Sequence, residues 1–270
     1  MLEHEEQWTV TRILPVARSI DNRISDTVDT VADEVPVALV YNGISHAVML
    51  ASPSDLEDFA VGFSLTEGII DSVAEMYDCD PSESRQGIAL QIHLGSERFM
   101  ALKARRRALA GRTGCGLCGV DSLSEVVRPL KIVQSLEIRQ EAIYRALNGL
   151  PDHQTLFSAT GAVHAAAWVA LSGEVIAVRE DVGRHNALDK LIGWRARNSH
   201  TEKGFIVVSS RASFEMVQKT TQAGVGGLIA ISAPTAMAVR LAGSCNLLLA
   251  GFARDARLTV YTYAERLLTD

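Results

Sequence analysis

Apolar and polar positions follow different patterns in the two parts of the chain. In the first part, apolar runs at residues 37–41 and 44–50 flank Asn42-Gly43, which accepts the positive φ of a tight turn and so predicts a hairpin. A helix is predicted next, because apolar positions recur at helical spacing at Leu56, Phe59, Ala60 and Phe63. A second strand pair is predicted at residues 88–94 and 98–102. Residues 1–108 are therefore predicted to form a small α+β domain, with residues 1 to 30 partly an extended arm.

From residue 109 onwards, strands alternate with helices. After a helix that ends at residues 148–149, apolar runs lie at residues 165–171, 175–178, 205–208, 227–231 and 247–250. Helices are predicted to begin near Asn186, Ser213 and Thr235, whose side chains can cap a helix N-terminus. This alternation is typical of crossover connections in a mostly parallel sheet. The predicted fold class is α/β, with residues 109–270 as the larger domain that carries the ligand crevice.

The composition excludes several classes of protein. The chain has 270 residues, is 47% hydrophobic and carries a formal net charge of −6, so general binding to nucleic acid or to anionic membranes is not expected. The apolar stretches are too short to span a bilayer, and residues 1–10 lack the apolar run of a secretory signal. Only four cysteines occur, which fits a reducing compartment. We therefore expect a cytoplasmic protein.

Two of the four cysteines, Cys115 and Cys118, lie in the glycine-rich segment 112–119. Its three glycines let the backbone bend and leave the thiols accessible. Residues 122–125 have the spacing of a capping box, so a helix N-terminus is expected close to the thiols. A basic group precedes them, consisting of Lys103, Arg105, Arg106, Arg107 and Arg112. Positive charge lowers the pKa of a thiol, so the pair is predicted to accept sulfur as a persulfide and to pass it on.

Three alternatives remain open for this cysteine pair. A zinc half-site would need further ligands, which only Cys79, Cys245 or a histidine such as His164 or His185 could supply. A thioredoxin-like disulfide exchanger would place its cysteines after a strand in a smaller βαβ unit, which this basic segment does not resemble. The cysteines could also be an inert pair in a tight turn. No metal ligand is assigned.

Polar groups are concentrated at residues 179–190, between an apolar strand and a helix. Such groups at the carboxyl end of a strand commonly face a ligand crevice, so His185 and Asn186 are predicted to bind a base or phosphate. A second bend, residues 209–213, offers hydroxyls, Arg211 and a helix N-terminus, the usual elements of an anion site. Both segments could instead be solvated, capped loops. His164, among small residues, is more typical of a buried core histidine than of a ligand.

Residues 251–257 follow the last apolar strand and contain one aromatic residue and two arginines. Phe252 could stack on a base while Arg254 and Arg257 pair with phosphates, although a solvated strand end is the alternative. The nucleotide-binding residues predicted in this stretch are Phe252, Ala253, Arg254, Asp255, Ala256 and Arg257.

Several of these segments together resemble the FdhD family. They are residues 115–118, 160–164, 179–190, 210–219, 232–235 and 251–254, and the resemblance extends over most of residues 36–263. It implies a sulfurtransferase or sulfur carrier that accepts a persulfide from a cysteine desulfurase. The sulfur then passes to the molybdenum bis(pyranopterin guanine dinucleotide) cofactor, bound as substrate, before the cofactor enters formate dehydrogenase. The resemblance also implies a cytidine-deaminase-like larger domain and a homodimer, and the dinucleotide predicts binding of GDP-like guanine nucleotides.

Two further functions are considered on the same residues: a zinc deaminase and a cofactor chaperone. A zinc deaminase requires His-x-Glu followed by Pro-Cys-x-x-Cys, whereas His164 precedes two alanines and the cysteine pair lies upstream of it, so deaminase chemistry is not expected. The main alternative is a chaperone that binds the cofactor without moving sulfur. Its cysteines would then bind a metal or a partner.

Overall fold

The structure is a computed structural model that describes residues 8–110, 131–254 and 256–269. It begins with a two-stranded antiparallel ribbon, β1 (Thr11–Ile20) and β2 (Arg23–Ala32). Asp21 and Asn22 form its turn with φ of 50° and 60°, conformations that short polar side chains tolerate. An extended arm was predicted for part of residues 1–30. In the structure, residues 11–32 instead form a hairpin whose two strands pair with each other.

A four-stranded sheet follows, in the order β4-β3-β6-β5. Its strands are β3 (Val35–Tyr41), β4 (Ile44–Ala51), β5 (Met76–Ser84) and β6 (Gly87–Leu94). The predicted hairpin at Asn42-Gly43 is confirmed, since β3 and β4 pair across it. The predicted helix is also confirmed as α1 (Leu56–Thr66), and Phe59 and Phe63 are buried in the core of this unit.

The predicted second strand pair is wrong in one member. Strand β6 pairs with β5, whereas residues 98–102 lie within helix α2 (Ser96–Ala110). Strand β5 is polar and mostly exposed at the sheet edge, so its sequence lacks the alternation that marks a half-buried strand. Phe99 and Leu102 are three residues apart, which is a helical spacing, and both contact the small core.

The larger unit is built around a six-stranded sheet with the order β13-β12-β11-β10-β8-β9. The strands are β8 (His164–Ala170), β9 (Val175–Asp181), β10 (Gly204–Val208), β11 (Gly227–Ala230), β12 (Leu248–Arg254) and β13 (Arg257–Thr262). The pairings β10–β11 and β11–β12 are parallel, and the other three described pairings are antiparallel. The sheet is therefore mixed, and the prediction of a mostly parallel sheet is wrong, because the turn at residues 171–174 joins β8 and β9 as a hairpin.

Helices cover both faces of this sheet. One face packs on α5 (Arg184–Arg197), α6 (Phe214–Gln222) and α7 (Ala236–Ser244). The other packs on α3 (Gln140–Gly149), with the short α4 (Thr155–Thr160) beside it. A two-stranded parallel pair, β7 (Ile138–Arg139) and β14 (Leu267–Leu268), completes the unit. The fold is mixed α/β, while the proposed division at residue 108 stays a prediction. None of the described helices is long and apolar enough to cross a membrane.

Candidate functional site

The carboxyl ends of β9, β10, β11 and β12 meet at one edge of the large sheet, since these strands run in the same direction. Residues 179–190, 209–213 and 251–257, which the sequence analysis singled out, lie at or directly after the ends of β9, β10 and β12. The edge is continuous: the amide of Thr235 donates to the carbonyl of Ala212, and that of Phe252 to the carbonyl of Ser232. Ligand crevices in open α/β sheets commonly lie at such an edge.

Much of the segment 179–190 holds the two sheets together. Asp181 and Lys190 form an ion pair of 2.7 Å in which both side chains are fully buried. The same groups bind Ser52, which connects β4 to α1: its amide donates to Asp181 at 3.0 Å, and Lys190 donates to its carbonyl at 3.0 Å. Asp189 and Lys219 form a second buried ion pair at 2.8 Å. The Asp189 carboxylate also accepts a hydrogen bond from the hydroxyl of Thr66 in α1. These charges therefore have a structural role.

Helices α1 and α5 touch through their backbones at this joint. A Cβ atom placed on Gly62 would lie 1.7 Å from the carbonyl oxygen of Asp189, and one on Gly193 would lie 1.8 Å from that of Asp58. Any side chain at either glycine would collide with the other helix. Asp58 adds ion pairs of 2.7 Å to both Arg179 and Arg197.

Asn186 belongs to this joint. Its side-chain nitrogen donates to the carbonyl of Leu50 at 2.8 Å and to Asp181 at 3.0 Å, and the residue is buried. Its predicted position as an N-cap is wrong, because α5 begins at Arg184 with Gly183 as the N-cap. A role in ligand binding stays a prediction, and it would have to use the side-chain oxygen or the backbone. Thr235 does cap α7, since its hydroxyl accepts a hydrogen bond from Ala238.

Two histidines lie at the β8–β9 end of the edge. His185 Nε2 is 2.7 Å from a carboxylate oxygen of Glu215. Burial lowers the pKa of this imidazole by more than that carboxylate raises it, so the net shift is downward. His164, the first residue of β8, pairs in register with Asp181, and its pKa is lowered by burial and by the charge of Arg184. Both imidazoles are therefore neutral near pH 7. Arg211 is exposed after β10, so this end of the edge combines neutral imidazoles with an accessible cation.

At the other end, β12 presents Phe252 in a strained conformation. Its φ is 52°, which is unusual for an aromatic residue, and its side chain is 44% exposed. The register between β12 and β13 shifts between Gly251 and Arg254, so a bulge turns this side chain outward. Strain of this kind is concentrated at ligand sites.

A groove of about 520 Å³ opens beside Phe252. Four of the predicted nucleotide-binding residues line it: Phe252, Arg254, Ala256 and Arg257. Ala253 is buried in the core on the α3 side, so its side chain is directed away from solvent, and Asp255 lies outside the described residues. The groove thus offers one aromatic surface and two cations.

Helix α3 supplies a wall of this groove that the sequence analysis missed. Gln140 and Tyr144 line it, and the side-chain nitrogen of Gln140 donates to the Tyr144 hydroxyl at 2.7 Å. The i, i+4 spacing of this polar pair indicates a shared helix face. The sequence carried no signal that this face would lie against β12.

The two groups of predicted ligand residues are far apart. Four inter-strand steps separate β9 from β12, and at about 4.8 Å a step this is about 19 Å. His185 and Asn186 therefore do not line the groove beside Phe252. A ligand that touches both groups must extend along the whole edge.

A model described as the FdhD/NarQ family matches residues 32–268. The chain belongs to this family. The resemblance inferred from the sequence is thereby confirmed. The FdhD/NarQ chain is also similar in structure to a protein from Desulfotalea psychrophila that was assigned as a formate dehydrogenase accessory protein. The TM-score is 0.76 at 20% identity, over 96% of this chain and 100% of the other, which shows a common fold.

Cys115 and Cys118, the predicted sulfur-binding pair, lie outside the described residues. The predicted capping box at residues 122–125 also lies outside them. Their roles stay predictions. The two described cysteines are poor nucleophiles. Burial and nearby acidic groups raise the pKa of Cys79 to about 12, and burial also raises the pKa of Cys245. Neither competes with the pair as a thiolate.

Proposed function

We propose that this protein is a sulfur carrier in the maturation of formate dehydrogenase. The match of residues 32–268 to the FdhD/NarQ family carries the proposal, and the fold shared with a protein assigned as a formate dehydrogenase accessory protein supports it. The Cys115 thiolate attacks the outer sulfur of a persulfide on a cysteine desulfurase. The old S–S bond breaks and the desulfurase thiolate leaves, so Cys115 holds the persulfide.

The substrate of the second step is the molybdenum bis(pyranopterin guanine dinucleotide) cofactor. Its guanine nucleotide enters the groove lined by Phe252, Arg254 and Arg257, where the ring stacks and the arginines pair with phosphates. The edge runs past Arg211, which follows β10, to His185, which follows β9 about 19 Å from this groove, and it leaves room for the rest of an extended, anionic molecule. We also propose that the larger unit has the cytidine-deaminase-like fold and that the protein is cytoplasmic.

GDP is expected to bind to this groove, and replacing Arg254 with alanine should weaken binding by about tenfold or more, since a charge-assisted hydrogen bond to phosphate is lost. Isothermal titration calorimetry measures both affinities. Arg23→Ala, on the exposed ribbon, is the matched control and should bind GDP normally. Equal affinity for ADP and GDP would contradict recognition of guanine, and no binding of either would contradict the nucleotide site.

The alternative function is a cofactor chaperone that moves no sulfur. Incubation with a cysteine desulfurase and cysteine distinguishes the two by mass spectrometry. A sulfur carrier gains about 32 Da per sulfur atom, removable by a thiol, whereas a chaperone remains unmodified.

A homodimer is also proposed, and the ribbon β1–β2 supports it. One face exposes a set of apolar side chains that the register places together: Ile13 (71% exposed), Pro15, Ala17, Ile24 (76%) and Val28 (61%). Asp26 lies on the same face between Ile24 and Val28, and Ser19 lies opposite Ile24, so polar residues interrupt the apolar set. Groups of exposed apolar side chains commonly mark an interface. We propose that a second copy of the chain covers it.

Light scattering tests this assignment. The wild type is expected at about twice the 29.2 kDa of one chain, and Ile24→Asp at the mass of one chain, because a buried charge disfavours the interface. Ser25→Asp places the same charge on the opposite face of β2 and should leave the dimer intact. A wild type that is monomeric at micromolar concentration would remove the homodimer from the proposal.

A further inference from the structure

Stacking and phosphate pairing in the groove beside Phe252 do not distinguish one purine nucleotide from another. Every base has an aromatic face that can stack on Phe252, and all nucleoside diphosphates offer the same phosphates to the two arginines. Discrimination needs neutral polar groups that read the edge of the base by hydrogen bonds. The described wall offers Gln140, Tyr144 and Thr259. The Thr259 hydroxyl rotates and can donate or accept, so it favours neither base.

Gln140 and Tyr144 differ from Thr259 because they constrain each other. The side-chain nitrogen of Gln140 donates to the Tyr144 hydroxyl at 2.7 Å, and neither side chain forms another hydrogen bond with the described residues. The hydroxyl that accepts this bond keeps its own hydrogen to donate, and the amide keeps its oxygen, which can only accept. The pair therefore presents a donor beside an acceptor.

Both side chains are accessible to a ligand. Each is half-buried, and the amide oxygen of Gln140 is not among the buried unpartnered atoms of the described residues, so it reaches solvent. Leu258 and Leu267 add apolar surface to the same groove. A base that covers these leucines would exclude water from the polar pair, which strengthens the hydrogen bonds it makes.

The donor and acceptor match the edge of guanine. Guanine presents O6 as an acceptor beside N1–H as a donor, whereas adenine presents a 6-amino donor beside N1 as an acceptor. We propose that Gln140 and Tyr144 select guanine: the Tyr144 hydroxyl donates to O6, and the amide oxygen of Gln140 accepts from N1–H. Adenine would instead set the lone pair of N1 against that oxygen. The inference rests on the nucleotide groove of the proposed function and names the residues that decide its specificity.

Calorimetry of the full chain with GDP, inosine diphosphate and ADP tests this assignment. Inosine diphosphate lacks the 2-amino group but keeps O6 and N1–H, so it should bind within about threefold of GDP, and ADP should bind about tenfold or more weaker. Gln140→Leu should weaken GDP binding by about tenfold without weakening ADP binding, so the preference is lost. Tyr144→Phe keeps the ring but loses the donor, and should weaken GDP binding by about fivefold.

The control and the contrary outcomes separate this inference from the groove itself. Asn148→Leu makes the same kind of change at an exposed position of α3, about two turns from Gln140 and outside the groove, and should bind GDP as the wild type does. Retained ADP binding shows that a variant is folded. If the wild type prefers GDP and both variants keep that preference, or if inosine diphosphate binds as weakly as ADP, only this inference is overturned. If no nucleotide binds the wild type, the groove is overturned as well.

Discussion

Replacing Cys115 with serine is expected to abolish the persulfide and, with it, the maturation of formate dehydrogenase. Cys115 is nearer in sequence than Cys118 to Arg112 and to the basic residues 103–107, so its thiolate should be the more stabilised. Cys118→Ser should still accept sulfur; poor delivery would assign Cys118 to the release of the sulfur, and normal delivery would leave it only an assisting role. Mass spectrometry after reaction with a desulfurase measures the first step, and formate dehydrogenase activity in cells lacking the native protein measures the second.

The structure supplies the controls for this experiment. Cys79→Ser and Cys245→Ser should keep both the adduct and the maturation activity, because burial raises the pKa of each thiol and leaves little thiolate at neutral pH. If Cys115→Ser still carried a thiol-labile sulfur on Cys118 and matured the enzyme, the assignment of Cys115 would be wrong. In the proposed delivery step, Cys118 attacks the inner sulfur of the persulfide. The outer sulfur leaves as a sulfide equivalent and a Cys115–Cys118 disulfide remains.

Replacing Lys190 with methionine is expected to lower the free energy of unfolding by about 3–5 kcal/mol, since it leaves Asp181 as a buried charge without its cation. The Asp181 carboxylate would keep its hydrogen bonds from Ser52 and Gly183, which cannot replace the ammonium group. Urea denaturation followed by circular dichroism measures the change.

Two comparisons separate this effect from a general loss of charge. Lys203→Met removes an exposed lysine and should change the free energy of unfolding by less than about 0.5 kcal/mol. The double variant Asp181→Asn, Lys190→Met should lose less stability than the two single changes added together, because the groups interact directly. Additive losses would show that the pair is not coupled.

Local patterns predicted much of the fold. The turn at Asn42-Gly43, the apolar stripe of α1 and the cap at Thr235 each depend on residues close in sequence, and each was found where expected. Strand direction was not predictable in the same way. The short turn at residues 171–174 reverses the chain between β8 and β9, and only the pairing shows that β8 then lies between β9 and β10.

The sequence predicted which kinds of residue would surround the candidate groove better than it predicted which of the candidate residues would lie together. Phe252, Arg254 and Arg257 do line one groove, because they are close in sequence around a bulge. Asn186 was predicted to bind a ligand, yet its side chain binds the carbonyl of Leu50, and Asp181 of the same segment binds Ser52; both partners are more than a hundred residues away. A dense polar motif can therefore serve an internal joint, and sequence spacing does not distinguish that role from ligand binding.

The backbone contact between Gly62 and Gly193 restricts how the two units can move. Helices separated by side chains can slide by small repacking steps, but two backbones in contact leave no such freedom. Any separation of the units would have to break the Asp181–Lys190 and Asp189–Lys219 pairs together. The ligand edge of the large sheet and the small sheet are therefore expected to move together as one rigid body, so that binding at the edge would also restrict the small sheet.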